Sequence, residues 1–190
     1  MSAVSNLDST SVFSNSTIQG ARPQESLAVM ASFNRPGDAA PYGANDVVSD
    51  STSTARALAF PGCGRGGLVH SASLVVAHTA TADYDLFLFE TEPTNFLDNA
   101  ALALVAGDQP KCIGFFRFLN ASKVNMGTNL ELYRATSAAA DQALPPMGYV
   151  LSASETNQRL FGILVTRSAY TPANANKFTI RLAITRNGLG

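Results

Sequence analysis

The clearest periodic signal lies near the end of the chain, where Phe178, Ile180, Leu182 and Ile184 alternate with Thr179, Arg181, Ala183 and Thr185. A period of two over eight residues predicts a strand with one face in a core and the other in water. Leu130-Glu131-Leu132-Tyr133-Arg134 alternates in the same way, and in residues 111–119 Phe116 and Phe118 fall opposite Phe115 and Arg117. Residues 84–89 differ. Tyr84, Leu86 and Leu88 point one way, while Phe87 and Phe89 point the other. A strand that is apolar on both faces is covered on both, as in the middle of a packed sheet. It ends before Pro93, which cannot donate to a ladder.

Residues 160–166 form an apolar run that reads as another core strand, and shorter strands are predicted at 27–33, 47–48, 57–60 and from 148 onward. A long strand is predicted over 68–79, with Leu68, His70, Ala72 and Leu74 on one side and Val69, Ser71 and Ser73 on the other. Gly- and Pro-bearing connections at 34–46 and 61–67 separate these runs. Helix is nearly absent from the pattern. Asp98 is a candidate N-cap for one or two helical turns over 98–104, stopped by Gly107. The Ala-rich residues 137–143 are either a helical turn or a loop before Pro145-Pro146.

Eight to ten strands with little helix predict an all-β fold that closes as a sandwich, a jelly roll or a barrel, and a jelly-roll-like β-sandwich over residues 26–190 is expected. At 190 residues the chain suits one domain with a substantial core. Residues 1–25 break the pattern. They are rich in Ser, Asn and Thr, with Val12, Phe13 and Ile18 among the scattered apolar positions. They read either as a disordered tail or as an extended arm held against a neighbour. In the second case Val12, Phe13 and Ile18 are the expected apolar anchors on a partner surface.

Composition narrows the partners. Charged residues make up 14% of the chain, with thirteen basic against fourteen acidic, a formal net charge of -1. That balance gives no electrostatic reason to bind nucleic acid or an anionic membrane. The N-terminus lacks the basic and apolar regions of a signal peptide, and no apolar run is long enough for a membrane span. Cys63 and Cys112 do not have metal-ligand spacing and read as free thiols of a reducing compartment.

Candidate chemistry is sparse. His70 and His78 lie on one extended stretch, about 26 Å apart at ~3.3 Å per residue, too far to act together. No Gly-x-Ser-x-Gly elbow accompanies them. The run Gly62-Cys63-Gly64-Arg65-Gly66-Gly67 resembles a phosphate loop, but a strand follows it where a helix N-terminus is needed, so it reads as a Gly-rich turn. Arg65 beside Cys63 could lower the thiol pKa, a weak pointer to reactivity. The acids Asp83, Asp85, Glu90 and Glu92 lack calcium-loop spacing. These residues single out no catalytic, cofactor or metal constellation.

Three separated segments carry a family resemblance. Asn34-Arg35-Pro36-Gly37-Asp38 through Tyr42 to Asp46-Val47-Val48-Ser49-Asp50 is one. Asp85-Leu86-Phe87-Leu88-Phe89 through Pro93-Thr94, Asp98-Asn99-Ala100-Ala101 and Asp108 to Lys111 is the second. Ala169-Tyr170-Thr171-Pro172-Ala173 followed by Phe178-Thr179-Ile180-Arg181-Leu182 is the third. In order and combination they resemble a family of tailed-bacteriophage and prophage virion proteins. The resemblance implies a capsid cement or decoration protein, made in the host bacterial cytoplasm. Such a protein binds the major capsid protein on the outer lattice as a small homo-oligomer, a trimer or a dimer. It implies no catalytic residues. Arg35 and Asp46 are then expected to hold the long loop and Asp98 to cap a turn. The alternative virion role is a tail- or fibre-associated adaptor, or a receptor- or glycan-binding module.

Overall fold

The computed structural model describes residues 24–78, 81–94, 96–136, 146–173 and 175–187. Its strands in chain order are β1 (Gln24–Asn34), β2 (Val47–Val48), β3 (Leu58–Phe60), β4 (Gly66–Val76), β5 (Tyr84–Phe89), β6 (Cys112–Phe118), β7 (Val124–Gly127), β8 (Leu130–Thr136), β9 (Met147–Val150), β10 (Leu160–Thr166) and β11 (Lys177–Asn187). Only two single-turn 3-10 helices, Gln109–Lys111 and Asn120–Ser122, accompany them among the described residues. No helix there is long and apolar enough to cross a membrane.

Every strand pairing is antiparallel, in the order β1-β11-β4-β8-β6-β5-β10-β2. The sheet curls because β8 serves two layers. Glu131 to Arg134 pair with β4, whereas Ala135 and Thr136 pair with β6. The layer β1-β11-β4-β8 thus folds over β6-β5-β10-β2, with β3 on β10, β9 on β4 and β7 on β8. The result is an all-β half-barrel of the β-sandwich kind.

The alternating positions explain the core between the layers. Val29, Ala31 and Phe33 of β1, Ile180 and Leu182 of β11, and Leu74 and Val76 of β4 meet Leu86 and Leu88 of β5, Phe116 and Phe118 of β6, and Leu160 and Leu164 of β10. Tyr84, fully buried, links both layers through edge-to-face contacts with Tyr133 and Phe178 at 5.6 and 6.0 Å. Phe178 in turn stacks on Phe33 at 5.2 Å.

The expectation that 84–89 is covered on both faces holds. Phe87 and Phe89, with Phe161, Ile163 and Val165, form a second cluster closed over by Phe96, Leu102 and Leu104. That cover is a turn at Asp98-Asn99 followed by non-helical chain, which corrects the helical turns expected over 98–104. Asn99 takes a left-handed φ of 60° directly after Asp98, and Ala101 bridges to Asp46, so the chain cannot wind. Leu102 and Leu104 are placed on the sheet by a period of two.

A second correction concerns β4. Its pairing with β11 runs Ala183↔Ser71 and then Ile184↔Val69, so His70 is an extra residue, a β-bulge. The bulge reverses the alternation. Val69, fully buried, joins Ala72 and Leu74 on the core side, while Leu68 lies outside at 37% exposure. The strand also ends at Val76, short of the expected 79.

Candidate functional site

Two arrangements of polar groups stand out, one buried and one open. The buried one gathers residues from separated segments. Arg35 follows β1 and is 2% exposed; Asp98, 5% exposed, lies in the segment that covers β5 and β10. Tyr42 donates its hydroxyl to Asp98 Oδ1 at 2.6 Å and accepts from Arg35 Nε at 3.0 Å. Arg35 Nη2 lies 3.3 Å from Asp98 Oδ2 and 2.9 Å from Asp38 Oδ1, and Nη1 donates to the Asp38 carbonyl. The Ser49 N–H supplies a further donor to Asp98 at 2.9 Å. Tyr42 also stacks on Tyr170 at 5.3 Å, and Tyr170 meets Tyr84 edge-to-face at 5.9 Å.

Burial pushes the Asp98 carboxyl up from its ordinary value, against the pull of Tyr42, Ser49 and Arg35. Burial likewise raises the Tyr42 hydroxyl far above its ordinary value. A closed charge pair with its lone pairs and protons satisfied, and no open side, specifies a loop conformation and offers no reagent to solvent. Arg35 does hold the long loop, as the resemblance suggested. Asp46 contributes by accepting from the Gly43 N–H at 2.5 Å. Asp98 has a different role from the helix cap expected of it. It is the acceptor that pins residues 35–49 to the 98–101 segment, aided by backbone bonds Asn99 N to Val47 O and Val47 N to Ala100 O.

The remaining candidates are structural. Cys63 is buried, its Sγ donates to the Phe60 carbonyl at 3.1 Å, and burial lifts its pKa to about 11. This overturns the pointer to a reactive thiol, because Arg65 is directed elsewhere, to the carbonyls of Ser152 and Glu155. Both cysteines are free. Gly62 and Gly64, each at φ 78°, make the Gly-rich run a turn into β4. His70 is exposed and bonded to Thr185 Oγ1 at 2.6 Å. Asp85 is a buried acceptor for Arg117 at 2.8 Å and Arg167 at 3.3 Å. Among the described residues no cluster of His, Cys, Asp and Glu is placed to hold a metal. Val12, Phe13 and Ile18 lie outside the described residues.

The open arrangement is the outer face of β1-β11-β4-β8. Its side chains are set by register: Met30↔Arg181↔Ser73↔Arg134 form one rung, and Ala28↔Ala183↔Ser71 the next. Ser26, Ala28, Met30, Ser32, Ser71, Arg134 and Arg181 are exposed, with Met30 at 59%. Hydroxyl pairs Ser32–Thr179 at 3.1 Å and Ser26–Thr185 at 3.4 Å run across the strands. The two layers therefore differ. Chain covers the outside of β5-β10, whereas Ser, Thr and Ala side chains with Leu68, His70, Arg134 and Arg181 lie on the outside of β11-β4-β8. Sequence reasoning found the alternation that makes this face but not its rungs, since pairing between distant strands leaves no mark in either strand alone.

No family model, curated protein or solved structure matches the chain.

Proposed function

We propose that the chain is a non-enzymatic structural protein of a phage particle, a capsid cement or decoration protein that docks through a bare sheet face. The observation that carries this reading is the contrast between the two layers. Chain covers the outside of β5 and β10, while the outer face of β1-β11-β4-β8 is exposed and ends at an eleven-residue edge strand, β1. Flat faces of Ser, Thr and Ala admit close approach of another surface, and a free edge admits strand addition.

Two further points support the reading. Taken in chain order, β1, β2, β4, β5, β6, β8, β10 and β11 pair as first-eighth-third-sixth in one layer and second-seventh-fourth-fifth in the other. With β3, β7 and β9 set aside, this order supports a jelly-roll-like form of the sandwich, an architecture found among viral capsid and lectin domains. In addition, residues from the three segments of the family resemblance converge on one unit, Arg35-Tyr42-Asp98 with Tyr170, so they act together as the markers of one fold.

The chain works as a homo-oligomer, a trimer or a dimer, on the outer capsid lattice. Each contact with the major capsid protein is weak, and simultaneous engagement of several copies raises the effective concentration. Contact with a neighbour is assigned to the residues ahead of β1, with Val12, Phe13 and Ile18 as its apolar anchors.

The experiment is particle occupancy of two variants. Ala183→Glu, at the centre of the bare face, and deletion of residues 1–20, ahead of β1, each leave the circular dichroism and melting of the isolated domain unchanged. Each lowers occupancy on particles at least tenfold. Wild-type occupancy for both, with the domain folded, contradicts the reading.

A further inference from the structure

The arginines of the described residues fall into two groups. Arg35 is paired with Asp38 and Asp98, Arg56 with Asp50, Arg117 and Arg167 with Asp85, Arg159 with Glu155, and Arg186 with Glu25. Arg65 donates to two backbone carbonyls. Arg134 and Arg181 have neither a carboxylate nor a carbonyl partner among the described residues. These two are not scattered. They occupy one rung of one sheet face, on either side of Ser73.

Neighbouring strands lie about 4.8 Å apart, so the backbones of Arg181 and Arg134 are separated by roughly 10 Å, a span that two long side chains can close over one group. Both line a cleft of about 410 Å³ whose other walls are Ser71, Ala72, Ser73, Ala135 and Ala183. The small side chains leave the space open. The only polar atoms they add are serine hydroxyls, which can donate to an oxygen. Among the described residues no acid side chain lines the cleft.

We propose that Arg134, Ser73 and Arg181 form an oxyanion-binding cleft. Its ligand is a single phosphate-like or carboxylate group. The planar guanidinium donates two parallel N–H bonds to such a group, and the Ser73 hydroxyl supplies a donor between the two arginines. Uncompensated like charges held side by side on a sheet repel, and an oxyanion between them relieves that repulsion as well as accepting their hydrogen bonds. The inference stands apart from the capsid reading, since it concerns the isolated chain and needs no particle. The oxyanion has two possible sources, a free phosphate-type ion or an Asp or Glu side chain of a protein docked on the face.

The test follows the arginine Nε–Hε resonances of the full chain by NMR, assigned with the Arg134→Gln and Arg181→Gln variants. Inorganic phosphate and a hexaglutamate peptide are titrated separately at constant ionic strength. The expected result is that the Arg134 and Arg181 signals move together and saturate at one midpoint. Arg56, an exposed arginine elsewhere, stays still. In Arg181→Gln the Arg134 midpoint rises at least tenfold, with the backbone amide spectrum otherwise retained. Saturation at lower concentration with hexaglutamate identifies a protein carboxylate as the ligand; saturation at lower concentration with phosphate identifies a free ion. Shifts that stay linear with both probes, or that are equal at Arg134, Arg181 and Arg56, overturn the cleft.

Discussion

At the scale of single residues, position in the fold decides what a charge is worth. Asp98 accepts from Tyr42, Ser49 and Arg35 inside the protein. Removing it leaves the Arg35 guanidinium, whose side chain is fully buried, with Asp38 as its one carboxylate partner among the described residues. Asp98→Ala is expected to cost about 3–5 kcal/mol, the range for breaking a buried pair. Asp50→Ala removes the partner of Arg56 at 3.8 Å, both largely solvated, and is expected to cost at most about 0.5 kcal/mol. Equilibrium urea unfolding of the two variants measures the difference, and equal midpoints would contradict this account of the network.

Acid stability follows from the same residues. Asp38 is held below the ordinary carboxylate range by the Ala40 N–H and Arg35, Asp108 by Thr94 and Lys111, and Glu155 by Arg159. The unfolded chain takes up these protons first as pH falls. Their contribution is therefore full above the ordinary carboxylate pKa of about 4 and is lost through the depressed values below it. Asp98 has the opposite sign. Burial raises its pKa, so the folded state takes that proton first and gains as pH falls through the raised value. Asp38, Asp108 and Glu155 each lower the urea midpoint as pH falls below about 4, and Asp98 acts against them. The double variant Asp108→Asn, Glu155→Gln is expected to show a shallower acid limb than the parent; an unchanged slope would contradict the assignment.

At the scale of elements, strand existence was legible and strand phase was not always so. The alternation at 178–185 and the two-faced run at 84–89 state their own burial, because a period of two maps directly onto the two sides of a sheet. The phase of β4 did not follow from its sequence. Adjacent polar residues His70-Ser71 between apolar neighbours are the only trace of the bulge, and only the pairing with β11 shows that His70 is the extra residue. Asp98 reads as a helix cap because an Ala- and Leu-bearing run follows it. The spacing of Leu102 and Leu104, two apart, carries the non-helical reading that prevails. β7 escaped notice because all four of its residues are exposed, so no apolar pattern marks it.

The start of β4 offers a sharp test of this packing. A Cβ on Gly67 would lie 2.1 Å from the Thr185 carbonyl oxygen and 2.9 Å from Arg186 Cα, both backbone atoms of β11. Gly67→Ala therefore forces the β4–β11 ladder apart and is expected to cost at least about 3 kcal/mol. Gly107, with nothing within 4 Å of its added Cβ, is the control. Gly107→Ala is expected to change stability by less than about 1 kcal/mol. Thermal melts of the pair report the contrast, and similar melting temperatures would show that β4 and β11 are not held at this register.

At the scale of the whole molecule, the two sheets divide the work. The β5–β10 layer is sealed on both sides, and the buried Arg35-Tyr42-Asp98 unit locks its covering segment in place. The β11–β4 layer keeps an open face on which Arg134 and Arg181, without a carboxylate partner among the described residues, flank Ser73. On the proposed capsid role, a formal net charge of -1 gives little long-range steering, and retention would come from repeated contacts across the lattice. The assembly partner could not be read from one chain, because a docking face is complementary to residues that another protein carries.

The most direct measurement is the copy number of this chain in purified particles, relative to the major capsid protein. A lattice-wide cement role predicts a ratio near a simple fraction of the capsid subunits, with the oligomer set by that fraction. A count comparable to that of portal or tail proteins, or absence from particles, would contradict it.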